Sequence, residues 1–339
     1  MAKSTLRVAV IGAGRWGGEH ARAFSERQDV ELCALVDIDP RAAERRAREF
    51  RARPYVDLHD MLRAEKPDFA SVAVSNMAQF SPTLELIRAG VPLLVEKPLA
   101  FSLDDADVLL DEAARRALFF AIDFNHRYAR PVMLAREAIR SGRLGDLVFA
   151  TWRFGGEHSA TEHPHANLIE TQCHGLDMLE YLCGPIESVA AEMTEMTGRG
   201  LTTIVLSLKF ASGAVGSLVG SYDSSYQYSN VHLLEVNGTD GHVLVEDTVR
   251  RFTYQRKGSE HREVWEAGYF NDVDRAFRRI LDSHLDAVLA AFRRDEEPPV
   301  HASAGRRALA LAFAAIQAYE SGRRTMIPPE PHPSTKSAA

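Results

Sequence analysis

The chain has 339 residues, of which 45% are hydrophobic and 26% charged, with a formal net charge of −7. That length sets an expectation of two domains, with enough apolar side chains for two cores. The negative balance argues against nucleic acid, no apolar run approaches the roughly 20 residues of a membrane span, and Cys33, Cys173 and Cys183 are too few for a disulfide framework. Residues Met1 to Thr5 do not read as a signal peptide, so a reduced, cytoplasmic protein with no membrane partner is expected.

In chain order, Leu6–Ile11 is a short β-branched apolar run that stops at Gly12, the pattern of a buried parallel strand. A helix is predicted from about Trp16 to Arg27, then a strand over Glu31–Val36 that ends at Asp37. Asp39 and Pro40 supply the N-cap and first position of a second helix. Pro54–Val56 is a third strand, and Asp57 caps the helix after it. Phe69–Val74 reads as a strand, Pro82–Ala89 as a helix stopped by Gly90, and Val91–Val95 as a strand. Ser102 caps a helix to about Arg116, and Leu118–Phe124 is a sixth strand. Strands alternating with helices predict a doubly wound parallel sheet over residues 1–124.

After Arg130-Pro131 the pattern changes. One helix runs to about Arg140 and is broken by Gly142 and Gly145. Strands are then expected over Leu147–Phe154, Ile186–Met193, Thr202–Phe210, Ala214–Tyr222, Val231–Asn237, Gly241–Glu246 and Val249–Tyr254, with hairpin chemistry at Asn237–Gly241. Thr171–Leu182 is the helix inside this region, and about Tyr269–Arg293 and Ser303–Ser321 are two more. The expectation is an α/β chain whose second domain, 125–327, is α+β with a large open, mostly antiparallel sheet. The Pro- and Ser-rich tail, 328–339, is expected to be disordered.

Gly12-Ala13-Gly14-Arg15-Trp16-Gly17 joins the first strand to the first helix. In that context Gly12 permits a tight turn, Gly14 lets the backbone approach a pyrophosphate, and Gly17 permits close packing of helix on strand. The phosphates would meet free N–H groups at a helix N-terminus. Asp37, about twenty residues on, can accept from adenosine ribose hydroxyls and would repel a 2′-phosphate, which favours NAD over NADP. Arg41 lies close enough in sequence to soften that preference.

With Glu96-Lys97-Pro98-Leu99-Ala100 the chain resembles the family of glucose–fructose oxidoreductase, inositol dehydrogenase and the rhizopine catabolism protein (Gfo/Idh/MocA). The likeness also rests on the glycine loop, Ser75-Asn76, Asn125-His126-Arg127-Tyr128 before Pro131, Gly142–Gly145, and His174-Gly175-Leu176-Asp177. It implies a Rossmann domain followed by an open-sheet domain for substrate and oligomerisation, and NAD(P)-linked chemistry on a sugar or cyclitol. On the resemblance, Gly12, Ala13, Gly14, Arg15, Trp16, Gly17, Asp37, Ser75, Asn76, Gln79, Glu96, Lys97 and Arg127 are the cofactor candidates. Three departures bear on the substrate: Glu170 stands where the family has Asp, Gln79 where it has His, and His163–Ile169 replaces a glycine-rich run.

Oxidising a secondary alcohol needs a base for the hydroxyl proton beside a hydride acceptor. Lys97 and His174 are the acid/base candidates, with Glu170 four residues before His174 to orient the imidazole if one helix carries both. Glu96 and Lys97 point to opposite faces of an extended segment, so Glu96 is read as structural towards the lysine. Lys97, Arg153, His158, His165, Asn167, Glu170 and His174 are the substrate candidates for a small polyhydroxylated ligand, with Tyr222, Tyr226 and Tyr228 behind them. The histidines before His174 lack a zinc spacing, and no metal is expected. A homodimer or homotetramer is expected. An NAD-retaining epimerase or glycoside-cleaving enzyme, and a dinucleotide-binding regulator without turnover, remain open.

Overall fold

The computed structural model describes residues 5–156, 163–224, 228–268 and 276–328. Two compact units emerge, Met1–Arg130 with Ala267–Leu309, and Pro131–Glu266 with Ala310–Ala339.

The first unit is built on six parallel strands, β1 (Leu6–Ile11), β2 (Val30–Val36), β3 (Arg53–Tyr55), β4 (Phe69–Val72), β5 (Leu93–Val95) and β6 (Phe120–Ile122). Their order is β3-β2-β1-β4-β5-β6. The order reverses between β1 and β4, which opens a crevice at the carboxyl ends of the strands, the usual ligand position of a doubly wound sheet. Helices α1 (Arg15–Ser25), α2 (Pro40–Phe50), α3 (Leu58–Glu65), α4 (Phe80–Arg88) and α5 (Leu103–Arg115) alternate with the strands. The three expected caps are in place: Asp39, Asp57 and Ser102 accept from the backbone N–H groups of Arg41, Asp60 and Asp105. Each such cap contributes about 1 kcal/mol.

The second unit holds α6 (Arg130–Arg140, from its second residue), α7 (Cys173–Cys183) and a nine-stranded sheet. Its strands are β7 (Leu147–Gly155), β8 (Ile186–Thr194), β9 (Thr203–Phe210), β10 (Val215–Ser221), β11 (Leu233–Gly238), β12 (Gly241–Glu246), β13 (Arg251–Arg256), β14 (Arg262–Glu266) and β15 (Thr325–Met326). They lie in the order β14-β13-β12-β11-β7-β10-β9-β8-β15. Only β7 and β10 pair in parallel; every other neighbour is antiparallel. Gly175 lets α7 sit on β7, because a Cβ there would lie 2.4 Å from Trp152 Nε1.

Three features differ from the sequence expectation. Strands β14 and β15 were not anticipated: β14 is the charged edge segment Arg-Glu-Val-Trp-Glu, and β15 has two residues, so neither carries a hydrophobic alternation. β13 begins at Arg251 and not at Val249, because Asp247 and Thr248 turn the chain with φ of 48° and 59°. The third concerns the late helices α8 (Ile280–Arg293) and α9 (Ser303–Ser321). The boundary drawn from sequence put all of 125–327 in the second domain, whereas Ala267–Leu309 belongs to the first unit. Leu281, Leu285, Val288 and Leu289 form one face of α8 and are buried with Val8, Phe24, Leu35 and Phe69. Phe292 packs its ring 5.4 Å from that of Phe69. The onset expected for this helix at Tyr269 and the tail beyond Pro328 lie outside the described residues.

Candidate active site

The glycine loop has the three properties its spacing implies. Gly12 adopts φ of 106°, and a Cβ on it would be 2.3 Å from the Ala73 carbonyl oxygen of the neighbouring strand end. A Cβ on Gly17 would be 1.9 Å from the Gly12 carbonyl oxygen, so α1 can approach β1 only with glycine there. Gly14 is the N-cap of α1 and exposed, with nothing within 4 Å of where a Cβ would point and no side chain capping the helix. Arg15 is exposed and Trp16 half-buried at the first turn. An uncapped helix N-terminus behind an open glycine suits a pyrophosphate. Asp37, just past β2, accepts from Ala13 N–H at 2.7 Å and from Asp39 N–H at 2.9 Å. Each carboxylate oxygen keeps a further acceptor site, so the adenosine ribose can still be recognised.

Lys97 follows β5 at the same carboxyl edge and is half-buried. The Lys97–Pro98 peptide is cis. Gln79, fully buried, donates its amide N–H groups to the carbonyls of Glu96 and of Pro98, the latter at 2.8 Å. Gln79, a cofactor candidate from the sequence, thereby clamps the Glu96–Lys97–Pro98 turn from both sides. Ser75 is exposed and Asn76 opens the short 3-10 turn Asn76–Ala78 ahead of α4. Arg127 lies in the 3-10 turn Asn125–Tyr128, its guanidinium 6.0 Å over the Phe124 ring.

Glu96 turns inward, as the alternation of an extended segment requires, and meets a cluster that sequence reasoning missed. Its Oε1 lies 3.1 Å from His20 Nε2, and His20 Nδ1 lies 2.7 Å from Ser71 Oγ. Asp123 Oδ2 is 3.9 Å from His20 Nε2, and Asp123 Oδ1 is 2.6 Å from His284 Nδ1. All are buried. Burial alone would lower the His20 imidazole, but its hydrogen bond to Glu96 and the charges of Glu96 and Asp123 raise it. Burial alone would raise Glu96, yet His20 and Lys97 hold it below the usual glutamate range. Asp123 is pushed well up by burial and by the Glu96 charge beside it. The cluster thus sets a buried imidazole between two buried carboxyl groups, one held low and the other pushed up. Asp123 could have been read from its place: like Asp37, it is an acid at the end of a parallel strand.

In the second unit the other candidates gather before and within α7. Residues Asn167–Thr171 form a π-helical turn, with Gln172 N–H donating to the Asn167 carbonyl at 2.9 Å. Such turns recur at functional sites. The α-helix starts at Cys173, so Glu170 and His174 do not share one uninterrupted α-helix, the condition set for their pairing. Both are buried, at 4% and 7% exposure. Asn167 donates to the Thr202 carbonyl at 2.6 Å and accepts from Gln172 at 3.1 Å, which fixes the turn. Thr171 Oγ1 and Tyr222 OH are 2.6 Å apart, and burial pushes the phenol up. His165 is half-buried with its imidazole lowered by burial, and its ring lies 6.1 Å from that of His163. Arg153 is exposed on β7 and donates to the Asn230 carbonyl at 2.6 Å. Tyr228 is exposed, and His158 and Tyr226 lie outside the described residues.

Residues 6–124 match the oxidoreductase family described as GFO_IDH_MocA, NAD-binding Rossmann fold, and residues 132–244 match the GFO/IDH/MocA C-terminal domain. The chain is 32% identical to a D-glucoside 3-dehydrogenase of Escherichia coli over 211 residues, 58% of this chain and 60% of that protein. It is 26% identical to a myo-inositol 2-dehydrogenase of Thermotoga maritima over 333 residues, 94% of this chain and 97% of that protein. The fold superposes on a levoglucosan dehydrogenase solved with NADH, with a TM-score of 0.86 at 16% identity, covering 96% of this chain and 99% of the other. No helix among the described residues is long and apolar enough to cross a membrane.

Proposed function

The chain belongs to the GFO/IDH/MocA oxidoreductases, an NAD-dependent dehydrogenase family matched in both of its domains, and from that premise we propose that it oxidises one secondary alcohol of a sugar, sugar derivative or cyclitol. The observation that carries the reading is Lys97. It stands at the carboxyl end of β5, in the same unit as the glycine loop, with its turn clamped by Gln79.

The Gly12–Gly17 loop, the N-terminus of α1 and Asp37 would hold the pyrophosphate and adenosine ribose of NAD. When bound, NAD supplies a hydride acceptor at nicotinamide C4. Lys97 and His174 are proposed as the acid/base pair that takes the hydroxyl proton during oxidation and returns it in the reverse direction. Glu170 is proposed to support His174, and the half-buried His165 and exposed Arg153 are proposed as polar contacts for a polyhydroxylated ligand. Asn167 serves that site by fixing the turn that carries Glu170.

Association into a homodimer or homotetramer belongs to the same reading. Phe149, Val205 and Val215 are exposed on one face of the adjacent strands β7, β9 and β10, and an uncovered apolar sheet face favours association.

Lys97→Met tests the assignment. Turnover should fall by about 10²-fold or more, the scale of positioned acid/base catalysis, while NAD affinity stays within about threefold, a shift below 1 kcal/mol. Turnover that survives intact removes Lys97 from the chemistry.

A further inference from the structure

Five polar side chains from five different segments meet under the Lys97 turn: His20 of α1, Ser71 of β4, Glu96 after β5, Asp123 after β6 and His284 of α8. Their exposures are 0%, 0%, 6%, 0% and 0%. Burying so many polar groups is costly unless each is partnered, and here the partners form one row. Two further side chains close it at the Asp123 end. Asn125 Nδ2 donates to Asp123 Oδ2 at 3.1 Å, and the Tyr128 ring stacks on His284 at 4.5 Å. At the other end the row reaches Lys97 itself, whose backbone N–H donates to Glu96 Oε2 at 3.2 Å.

We propose that this row is a positioning device for Lys97, fixing the Glu96–Lys97–Pro98 turn by holding the Lys97 backbone N–H on Glu96 Oε2. The inference rests on the reading of Lys97 as an acid/base group. The groups that act on Glu96 are His20 from α1, with Glu19 beside it, Asp123 beyond β6 and Lys97 on its own segment. Ser71 orients His20 from β4, and His284 with Asn125 holds Asp123. Glu96 Oε2 is the acceptor that ties the Lys97 backbone to the row, so removing that acceptor frees the turn, whereas a side chain that keeps an acceptor oxygen holds it.

The test is competitive acylation of the lysines by a trace of acetic anhydride near neutral pH, read peptide by peptide by mass spectrometry. The chain has only six lysines (Lys3, Lys66, Lys97, Lys209, Lys257 and Lys336), so the others serve as internal standards. Glu96→Ala, which removes the acceptor of the Lys97 N–H, should change the Lys97 labelling rate by about fivefold, the scale of one lost hydrogen bond, with the other rates unmoved, and Glu96→Gln, which keeps an acceptor oxygen, should restore it. His20→Gln should move it in the same sense as Glu96→Ala, because Glu96 then loses its partner on α1; this variant also serves if Glu96→Ala does not fold. Asp123→Asn should restore most of the kcat that Asp123→Leu loses. Unchanged Lys97 labelling in folded Glu96→Ala overturns the proposal, and so does one equivalent of tightly held zinc in the wild type that His20→Gln releases. Labelling needs no substrate, so a protein that oxidises no polyol fails the dehydrogenase reading while the labelling result still decides this one.

Discussion

Asp37→Ala should weaken NAD and narrow the gap to NADP, through two separable effects. The first is structural. Asp37 Oδ2 accepts from the N–H of Ala13, a residue with no exposed surface, and removing the acceptor leaves a buried donor at a cost of about 1–3 kcal/mol. That loosens the loop for either cofactor and should raise both Kd values by about 5- to 150-fold. The second effect is electrostatic. A carboxylate about 4 Å from a 2′-phosphate opposes it by about 1 kcal/mol per unit charge in water and about 4 kcal/mol at an effective dielectric of 20. Its loss should shift the NADP-to-NAD affinity ratio towards NADP by about tenfold or more. Asp37→Asn separates the two, because its amide oxygen still accepts from Ala13 while the charge is gone: NAD affinity should be largely kept and the ratio should still move. Titration of both cofactors, followed by the fluorescence of Trp16 in the loop, gives the four dissociation constants. An unchanged ratio in both variants would refute the role assigned to Asp37.

Gly17→Ala and Gly14→Ala should part company. The first puts a methyl 1.9 Å from the Gly12 carbonyl oxygen, so thermal stability should drop by about 1–3 kcal/mol along with NAD binding; the second meets open space in the protein, so melting should be unaltered while NAD binding weakens. Equal melting losses in the two would show that Gly14 does not face the cofactor. Acid stability should depend on Glu65, which accepts from Arg7 at 2.6 Å, Arg53 at 3.1 Å and the Tyr55 hydroxyl. Burial would raise this carboxyl, but Tyr55, Arg53 and Arg7 hold it below the usual range. A lowered native value means stability fully present above the unfolded glutamate value (about 4.3) and lost as pH falls through the native one. Glu65→Gln should therefore flatten the fall in melting temperature below about pH 4, and an identical acid limb would contradict the assignment.

Much of the first unit was legible because its signals are local. Gly12 takes a positive φ and Gly17 meets the Gly12 carbonyl within the same short loop, and Asp39, Asp57 and Ser102 cap the helices their positions announced. What was not legible depends on contacts between distant segments. His20 reads as one polar residue on an amphipathic helix, Ser71 as a small residue in an apolar strand, and His284 as a break in an apolar face. Only folding brings them to Glu96 and Asp123. The same holds for α8, whose apolar face fits either unit by pattern and is assigned by Phe24 and Phe69 across the core. Glu170 and His174 show a limit of spacing. Four residues suit one α-helix, whereas Glu170 sits in the π turn Asn167–Thr171 and His174 in the first turn of α7.

Oxidation of a polyol is read most directly by incubating the protein with NAD and a panel of sugars, sugar acids and inositols while following NADH absorbance. At least one member of the panel should yield one NADH per ketone formed, with no NADH in Lys97→Met. A substrate that is epimerised or cleaved with no net NADH, or a panel in which nothing is oxidised while NAD binds normally, would contradict it.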